Sequence, residues 1–279
     1  MDRFESIAHA QPFTLTYRIE ALDGSGRAWG KGAEVVQPSA STRKVGIMMN
    51  ALGAARAGRI DLSKKLTITA GLQEGINSGT YQHMSPGTEY SLRDAIVNMI
   101  ITSDNVSTQL VLTELGVDHV TAWAKGLGMT GTQLRGLVPN PTLPWDHAAE
   151  EVATTCPADQ ALLLRRIVAG LTDAAEAKAL GVTPEDCATG LEIMSWQRLR
   201  GMIPFLLPHG TRIDNKTGRS QRGRSDVGVV WKDGKPLFVI AAYADWVPDT
   251  LPDGLPGQSG AYLSIAKLAR AAWEELGGA

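Results

Sequence analysis

Apolar and polar residues alternate at both ends of the chain, and this pattern predicts strands there. Residues 13–22 mix β-branched and aromatic residues with polar ones, and a turn leads from them to a second strand around 27–36. Near the other end, a polar extended run at 211–218 precedes two apolar strands at 227–231 and 237–243. A Lys-Asp-Gly-Lys turn joins these last two strands, which therefore form a hairpin.

Between these strands the apolar spacing is helical. The first helix begins near Ser41, and its apolar residues recur at the spacing of a buried stripe: Val45, Met48, Met49 and Leu52. Further helices are predicted to begin at Ser91, after a break at 103–105, at Asp118, behind the N-caps Thr155 and Thr183, and at 261. A loop over 134–154 is rich in proline, with Pro139, Pro141 and Pro144.

Strands at both ends and helices between them predict an α/β (α+β) fold. The two ends form one antiparallel sheet flanked by the terminal helices, and an all-helical lobe is inserted between them. We expect residues 1–40 and 209–279 to form the sheet domain and residues 41–208 the helical domain. A functional site is expected in the cleft between the two.

Composition narrows the classes of partner. The chain has 279 residues, of which 43% are hydrophobic and 20% charged, and its formal net charge is −2. This balance gives no reason to expect nucleic acid or a membrane surface as a partner. No apolar run is long enough to span a bilayer, and residues 1–5 lack the apolar core of a signal peptide. We expect a cytoplasmic protein, or an exported one whose signal is absent from this sequence.

Neither the cysteines nor the histidines form a metal motif. Cys156 and Cys187 show no CxxC spacing, and free buried thiols are expected rather than a disulfide. The five histidines are scattered, and no glycine-rich phosphate loop is present. The sequence therefore predicts neither a metal nor another cofactor.

Candidate chemistry begins at the first helix, where Ser41 and Lys44 are three residues apart and share one face. A serine hydroxyl becomes a strong nucleophile when a nearby base takes its proton. Lysine is such a base only when burial or nearby positive charge lowers its pKa. Taken alone, the pair is equally well explained as a helix cap beside a solvated lysine.

Two other stretches have similarly ordinary explanations when taken alone. Ser103-Asp104-Asn105 falls where one helix breaks and another begins, and all three residue types are good N-caps. Lys216-Thr217-Gly218 lies on the predicted edge strand, where a solvated lysine discourages aggregation.

In combination and in this order, the three stretches match the motif set of class A β-lactamases and penicillin-binding proteins. The chain resembles the serine β-lactamase and penicillin-binding-protein superfamily, and it is most similar to class A β-lactamases. The resemblance covers most of the chain, because the predicted sheet and inserted helical lobe also agree with it.

The resemblance implies a role for each motif residue in catalysis. Ser41 is the acylated nucleophile, and Lys44 is the base, or part of the proton relay, for acylation. Ser103 passes a proton to the leaving nitrogen. Lys216 helps to tune this proton network.

The resemblance also implies a substrate-binding set. Asn105 bonds a side-chain amide of the substrate, and Lys216 and Thr217 hold its carboxylate. The backbone N–H groups of Ser41 and Arg219 form the oxyanion hole, beside Gly218.

The chain departs from the class A pattern in two places. No Glu-x-x-x-Asn occurs in the loop 134–154, whose only carboxylates are Asp146, Glu150 and Glu151. In the family that glutamate activates the deacylating water. In addition, Arg219 follows Lys-Thr-Gly, where relatives carry a small residue, so it either narrows the cleft or adds an anion-binding fork.

The sequence therefore predicts a serine hydrolase that forms an acyl-enzyme on Ser41 and acts on a small-molecule amide, β-lactam or ester. Slow release of bulky β-lactams is expected. The alternatives are an acyl-binding or β-lactam-sensing protein without turnover, and a D-alanyl peptidase or esterase.

Overall fold

The computed structural model describes residues 2–138 and 142–277, which form ten α-helices and nine strands. The helices are α1 (Arg3–His9), α2 (Lys44–Arg56), α3 (Ala70–Gln73), α4 (Leu92–Ile101), α5 (Asn105–Leu115), α6 (Val117–Gly126), α7 (Pro157–Ala169), α8 (Ala174–Ala179), α9 (Pro184–Ser195) and α10 (Gly257–Glu275). The strands are β1 (Thr14–Ala21), β2 (Ala28–Lys31), β3 (Gln37–Pro38), β4 (Lys65–Thr67), β5 (Glu89–Ser91), β6 (Thr154–Thr155), β7 (Ile213–Arg219), β8 (Arg224–Lys232) and β9 (Lys235–Asp245).

The two ends of the chain form one antiparallel sheet, as predicted. Its order is β2-β1-β9-β8-β7, so β7 is an edge strand and β1 pairs directly with β9. The second strand is shorter than the predicted 27–36, because the chain turns at Gly32 with a φ of +58°. A Cβ at Gly32 would lie 2.9 Å from Thr16 Cγ2, so only glycine fits this turn.

Both faces of the sheet are buried, which explains the nearly continuous apolar run of β9. Phe238 and Ile240 pack on one face against α1 and α10, whereas Val239 and Ala241 join the core of the helical region. Successive residues of a strand point to opposite faces, so one strand serves two cores.

Helix α2 lies at the centre of the helical region and is buried on every side. The predicted stripe is buried, but so is every other residue from Lys44 to Ala54. Helices α4, α5, α6 and α9 all pack against α2. The burial of the predicted stripe is therefore confirmed, and neighbouring helices also cover the opposite face of α2.

Two predicted helix caps have different outcomes. Thr183 caps α9 in a reciprocal capping box with Asp186, as expected. Thr155 does not cap α7: it belongs to β6, which pairs with β3, and Cys156 is the N-cap. The Thr155 hydroxyl instead hydrogen-bonds Thr132 Oγ1 at 2.7 Å and Gln160 Nε2 at 3.0 Å.

The division into residues 1–40 with 209–279 and residues 41–208 remains a prediction. Met202 and Ile203, from the predicted helical domain, pack with α1 and α10 behind the sheet. Of the prolines expected in the loop 134–154, Pro139 and Pro141 lie outside the described residues. Within the described ranges, no helix is both long enough and apolar enough to cross a membrane.

Cys156 and Cys187 are unpaired and buried, and burial raises their thiol pKa values to about 12 and about 11. Since the thiolate is the reactive form, neither should react in the native protein. We expect a thiol reagent such as DTNB to detect almost no thiol in native protein at pH 8 and two in denaturant. Fewer than two in denaturant would mean that the cysteines pair.

Candidate active site

Ser41 lies in a 3₁₀ turn, Ala40–Arg43, that leads into α2. The turn is held from both sides. The backbone N–H and the hydroxyl of Ser39 donate to Ala153 O at 2.8 and 3.0 Å, and the Thr42 hydroxyl bonds Tyr243 OH at 2.7 Å. Ala40 has a φ of +45°, a conformation that costs a non-glycine residue about 1–3 kcal/mol. The surrounding contacts therefore fix a strained turn.

Lys44 is 1% exposed, and its amino group reaches the second motif. Its Nζ donates to Ser103 O at 2.8 Å, Ser103 Oγ at 3.3 Å and Asn105 Oδ1 at 2.8 Å. None of the hydrogen bonds among residues 2–138 and 142–277 joins Lys44 Nζ to the Ser41 hydroxyl. The structure thus places the Lys44 amino group against the second motif rather than in a hydrogen bond with Ser41.

Burial lowers the pKa of Lys44 well below its ordinary value. The positive charges of Lys216 and Arg43 lower it further, and Asp104 opposes them. Within residues 2–138 and 142–277, no carboxylate hydrogen-bonds the amino group. Lys44 therefore meets the condition for a general base that the sequence analysis set, a pKa lowered by burial and nearby positive charge.

The second motif both caps a helix and serves the site. Asp104 caps α5, accepting from Ser107 N at 2.8 Å, and its other oxygen accepts from Tyr81 N at 2.8 Å. Ser103 adopts a φ of +59° between α4 and α5. The capping explanation therefore holds for Asp104, whereas Ser103 and Asn105 turn their side chains to Lys44.

The segment at Gly79 packs directly on this motif. A Cβ at Gly79 would lie 2.2 Å from Asp104 Cα, and Asn105 N donates to Ser78 O at 3.1 Å. The close backbone contact requires glycine, and it fixes Asp104 between two segments.

Lys216 is fully buried, so the solvated edge lysine is the wrong explanation for the third motif. The Ser41 turn packs beside β7 and covers it. Lys216 Nζ donates to Thr217 O at 2.7 Å. Burial lowers the pKa of Lys216 to about 7, and Asp226 opposes this shift.

Gly218 brings β7 against the Ser41 turn. A Cβ there would lie 2.2 Å from Ser225 Oγ and 3.1 Å from Ala40 Cβ. The glycine of the motif thus allows a strand edge to approach the turn that carries Ser41.

A cleft of about 820 Å³ brings most of the predicted site residues together. Its lining includes Ser41, Ser103, Asn105, Thr217, Gly218 and Arg219. Lys44 and Lys216 are buried behind these residues. The predicted oxyanion-hole residues, Ser41 and Arg219, both line the cleft; their role as donors remains a prediction.

The three loop carboxylates do not reach this cleft. Asp146, Glu150 and Glu151 are exposed, and none of them is among its lining residues. Glu151 instead accepts from Ala148 N at 3.1 Å.

Sequence reasoning missed His147, which the structure places in the cleft wall. The residue is 5% exposed, and its Nδ1 lies 2.9 Å from Ala148 O. A carbonyl only accepts, so this Nδ1 carries the hydrogen. In the sequence, the only indication of a role for His147 was its position in the loop that the family uses for deacylation.

Asp226 was also missed, because it lies in a strand with no motif around it. It accepts from Asn215 Nδ2 at 2.9 Å and from Ile203 N at 3.0 Å. Burial raises the pKa of Asp226 to about 7, although hydrogen bonds and the nearby Lys216 oppose the shift. Asp226 is thus a buried carboxyl close enough to Lys216 for each group to oppose the pKa shift of the other.

The chain matches one family of known proteins. A family model described as "Beta-lactamase enzyme family" matches residues 1–276. A search of curated proteins found no match.

Solved structures share the fold. A β-lactamase from Sphaerobacter thermophilus DSM 20745 superposes with a TM-score of 0.84 at 23% identity, covering 99% of this chain and 97% of the other. PBP-A gives 0.82 at 22% identity, with 99% and 95% covered. A PBP-A mutant, an acyl-enzyme complex with penicillin G, gives 0.79 at 24% identity, with 98% and 95% covered.

The lowered pKa of Lys44 generates a pH prediction. A base works when unprotonated, so acylation should slow as pH falls through the Lys44 pKa and level off above it. With an ordinary lysine, the rate would rise until about pH 10.4. We expect the rate of labelling by a neutral fluorophosphonate to level off well below the pH at which an ordinary lysine titrates, because burial lowers the Lys44 pKa. A continued log-linear increase to pH 10 would show that Lys44 titrates normally.

Proposed function

The chain belongs to the β-lactamase enzyme family and is a serine hydrolase, and we propose that Ser41 is the nucleophile that its substrate acylates. The observation that carries this proposal is the environment of Lys44. A buried amine with a lowered pKa lies one turn from Ser41 and hydrogen-bonds Ser103 and Asn105.

The first half of the reaction follows from these groups. Ser41 Oγ attacks the substrate carbonyl carbon, and its proton passes to the neutral Lys44 amine. The negative charge that develops on the carbonyl oxygen is held by the N–H groups of Ser41 and Arg219. When the intermediate collapses, the bond to the leaving nitrogen or oxygen breaks. Lys44 then returns the proton to the leaving group through Ser103.

The opposite wall of the cleft binds the substrate. Thr217 and Arg219 face the cleft beside Gly218, and buried Lys216 lies behind them. They form a cationic, hydrogen-bonding edge suited to a carboxylate. Asn105 bonds a substrate amide while also fixing Lys44.

Release of the acyl group is the step at which we expect this protein to differ from an efficient penicillinase. None of the described Asp or Glu residues lines the cleft. Water then has no carboxylate base, and hydrolysis depends on Lys44. A small acyl group leaves room for that water, whereas a bulky one blocks it. An acyl-binding or sensing protein would differ from a hydrolase at this step alone, because it would not release the acyl group.

Replacing Ser41 and Lys44 tests the nucleophile and its base. Ser41→Ala should abolish covalent labelling by penicillin or a fluorophosphonate. Lys44→Ala should slow acylation by roughly two to four orders of magnitude, the usual contribution of a positioned base. Ser195→Ala, outside the cleft, is the matched control and should label normally. Unchanged labelling of Ser41→Ala would place the nucleophile elsewhere.

The missing cleft carboxylate predicts two classes of substrate behaviour. Small activated esters should turn over repeatedly, and benzylpenicillin should leave a long-lived adduct visible by intact mass spectrometry. Asp146→Asn, Glu150→Gln and Glu151→Gln should each leave the adduct lifetime unchanged, because none of these side chains lines the cleft. Rapid multiple turnover of benzylpenicillin would contradict this prediction. If every ester gave only one equivalent of product per protein, the result would instead favour the acyl-binding or sensing protein.

A further inference from the structure

The cleft described above carries far more positive charge than the proposed reaction needs. Its wall includes five arginines, and no aspartate or glutamate is among the described residues that line it. The arginines are Arg43, Arg198, Arg200, Arg219 and Arg224. The whole chain has a formal net charge of −2, so this positive charge is local to the cleft.

Four of these residues, Arg198, Arg200, Arg219 and Arg224, line the cleft from the segments 198–202 and 217–224, and we call them the arginine rim. Arg219 and Arg224 are directly opposite each other on β7 and β8. Tyr262 of α10 lies near Arg224 and lines the cleft with it, and a Cβ at Gly201 would lie 3.3 Å from the same tyrosine ring. Tyr262 therefore lies between Arg224 and the segment that carries Arg200.

The rim also reaches the catalytic side of the cleft. Arg198 N donates to Ile101 O at 3.0 Å, two residues before Ser103. The rim thus runs from the second motif to the end of the third, along one side of Ser41.

The rim lacks the carboxylate partners that arginines have elsewhere in this protein. Arg222 pairs with Asp245 at 2.9 Å, and Arg212 pairs with Asp214 at 2.9 Å. Among the described residues, no ion pair involves a rim arginine. Arg198, Arg200 and Arg219 are exposed.

Neutral groups hold the Arg224 guanidinium, and no carboxylate among the described residues pairs with its charge. Its Nη1 donates to Ser220 O at 2.8 Å and its Nη2 to Gln258 Oε1 at 3.1 Å. Its Nε is buried without a hydrogen-bond partner in the described structure. Like charges held together without counter-charge are unfavourable, and an anionic ligand relieves this cost.

A single carboxylate does not account for such a rim. The two oxygens of one carboxylate accept hydrogen bonds from one guanidinium group, and Arg219, beside Thr217, already supplies that group. We propose that the substrate carries at least two carboxylate groups, of which the second is bound by Arg198 and Arg200. This inference rests on the proposed hydrolase function and names its substrate class: an amide or ester that carries two free carboxylate groups.

A series of three acetyl esters that differ only in charge tests the proposal. The leaving groups are phenol, 3-hydroxybenzoate and 5-hydroxyisophthalate, with zero, one and two carboxylates. Each kcat/KM is divided by the hydroxide-catalysed rate of the same ester, which corrects for leaving-group reactivity. We expect the corrected value to rise with each carboxylate, by roughly tenfold or more from the neutral ester to the dianion. The preference should weaken with added salt.

The double variant Arg198→Gln/Arg200→Gln should reduce the preference for the dianion over the monoanion to near unity. Both side chains are exposed and form no ion pair within the described ranges, so the variant should fold. Arg93→Gln, an exposed arginine outside the cleft, is the matched control and should keep the preference. Equal corrected rates for all three esters, with Ser41-dependent turnover intact, would overturn the dicarboxylate proposal and leave the hydrolase proposal standing.

A binding measurement separates the two proposals when no ester is turned over. Isophthalate and benzoate are titrated into the unreacted protein, and the thermal shift is recorded. Stronger stabilisation by isophthalate that is lost in the double variant supports the rim, whatever reaction follows. Equal stabilisation by the two anions overturns it.

Discussion

The burial of the Lys44 amino group is the constraint on which the site depends. A buried ammonium is costly unless it is paired, and here the partners are a carbonyl, a hydroxyl and an amide rather than a carboxylate. A carboxylate in that position would raise the lysine pKa and keep it protonated. Neutral acceptors satisfy its hydrogen bonds without supplying charge, so the amine remains available as a base.

Three separate segments must meet to create that environment. Helix α2 supplies Lys44, the α4–α5 junction supplies its acceptors, and β7 supplies the second buried lysine. The junction needs Ser103 in a left-handed conformation, and the Ser41 turn needs the same of Ala40. Strain of this kind persists where the surroundings over-determine the backbone, as the contacts of Ser39, Thr42 and Asp104 do here.

The sequence predicted the parts of the site that are local and missed those that depend on packing. The three motifs, the sheet of chain ends and the Thr183 cap follow from spacing and residue type. The burial of Lys216 does not, because an edge strand looks solvated until the Ser41 turn covers it. Thr155 was predicted to be an N-cap because the local sequence does not reveal its pairing with β3, which is a long-range contact. Asp226 and His147 had no motif, and only the folded chain brings them near the cleft.

The pairing of β1 with β9 bears on how the protein assembles during synthesis. Thr14 lies opposite Asp245, so the central strand pair joins the beginning of the chain to its end. A ribosome releases residues 14–21 long before 235–245, and β1 therefore waits with its apolar side chains uncovered while the helices form. Lys216 also emerges late, so the charge that helps to depress the Lys44 pKa is absent until β7 docks. Burial among the helices is the larger cause of the lowered Lys44 pKa, and docking of β7 then adds the charge of Lys216 to it.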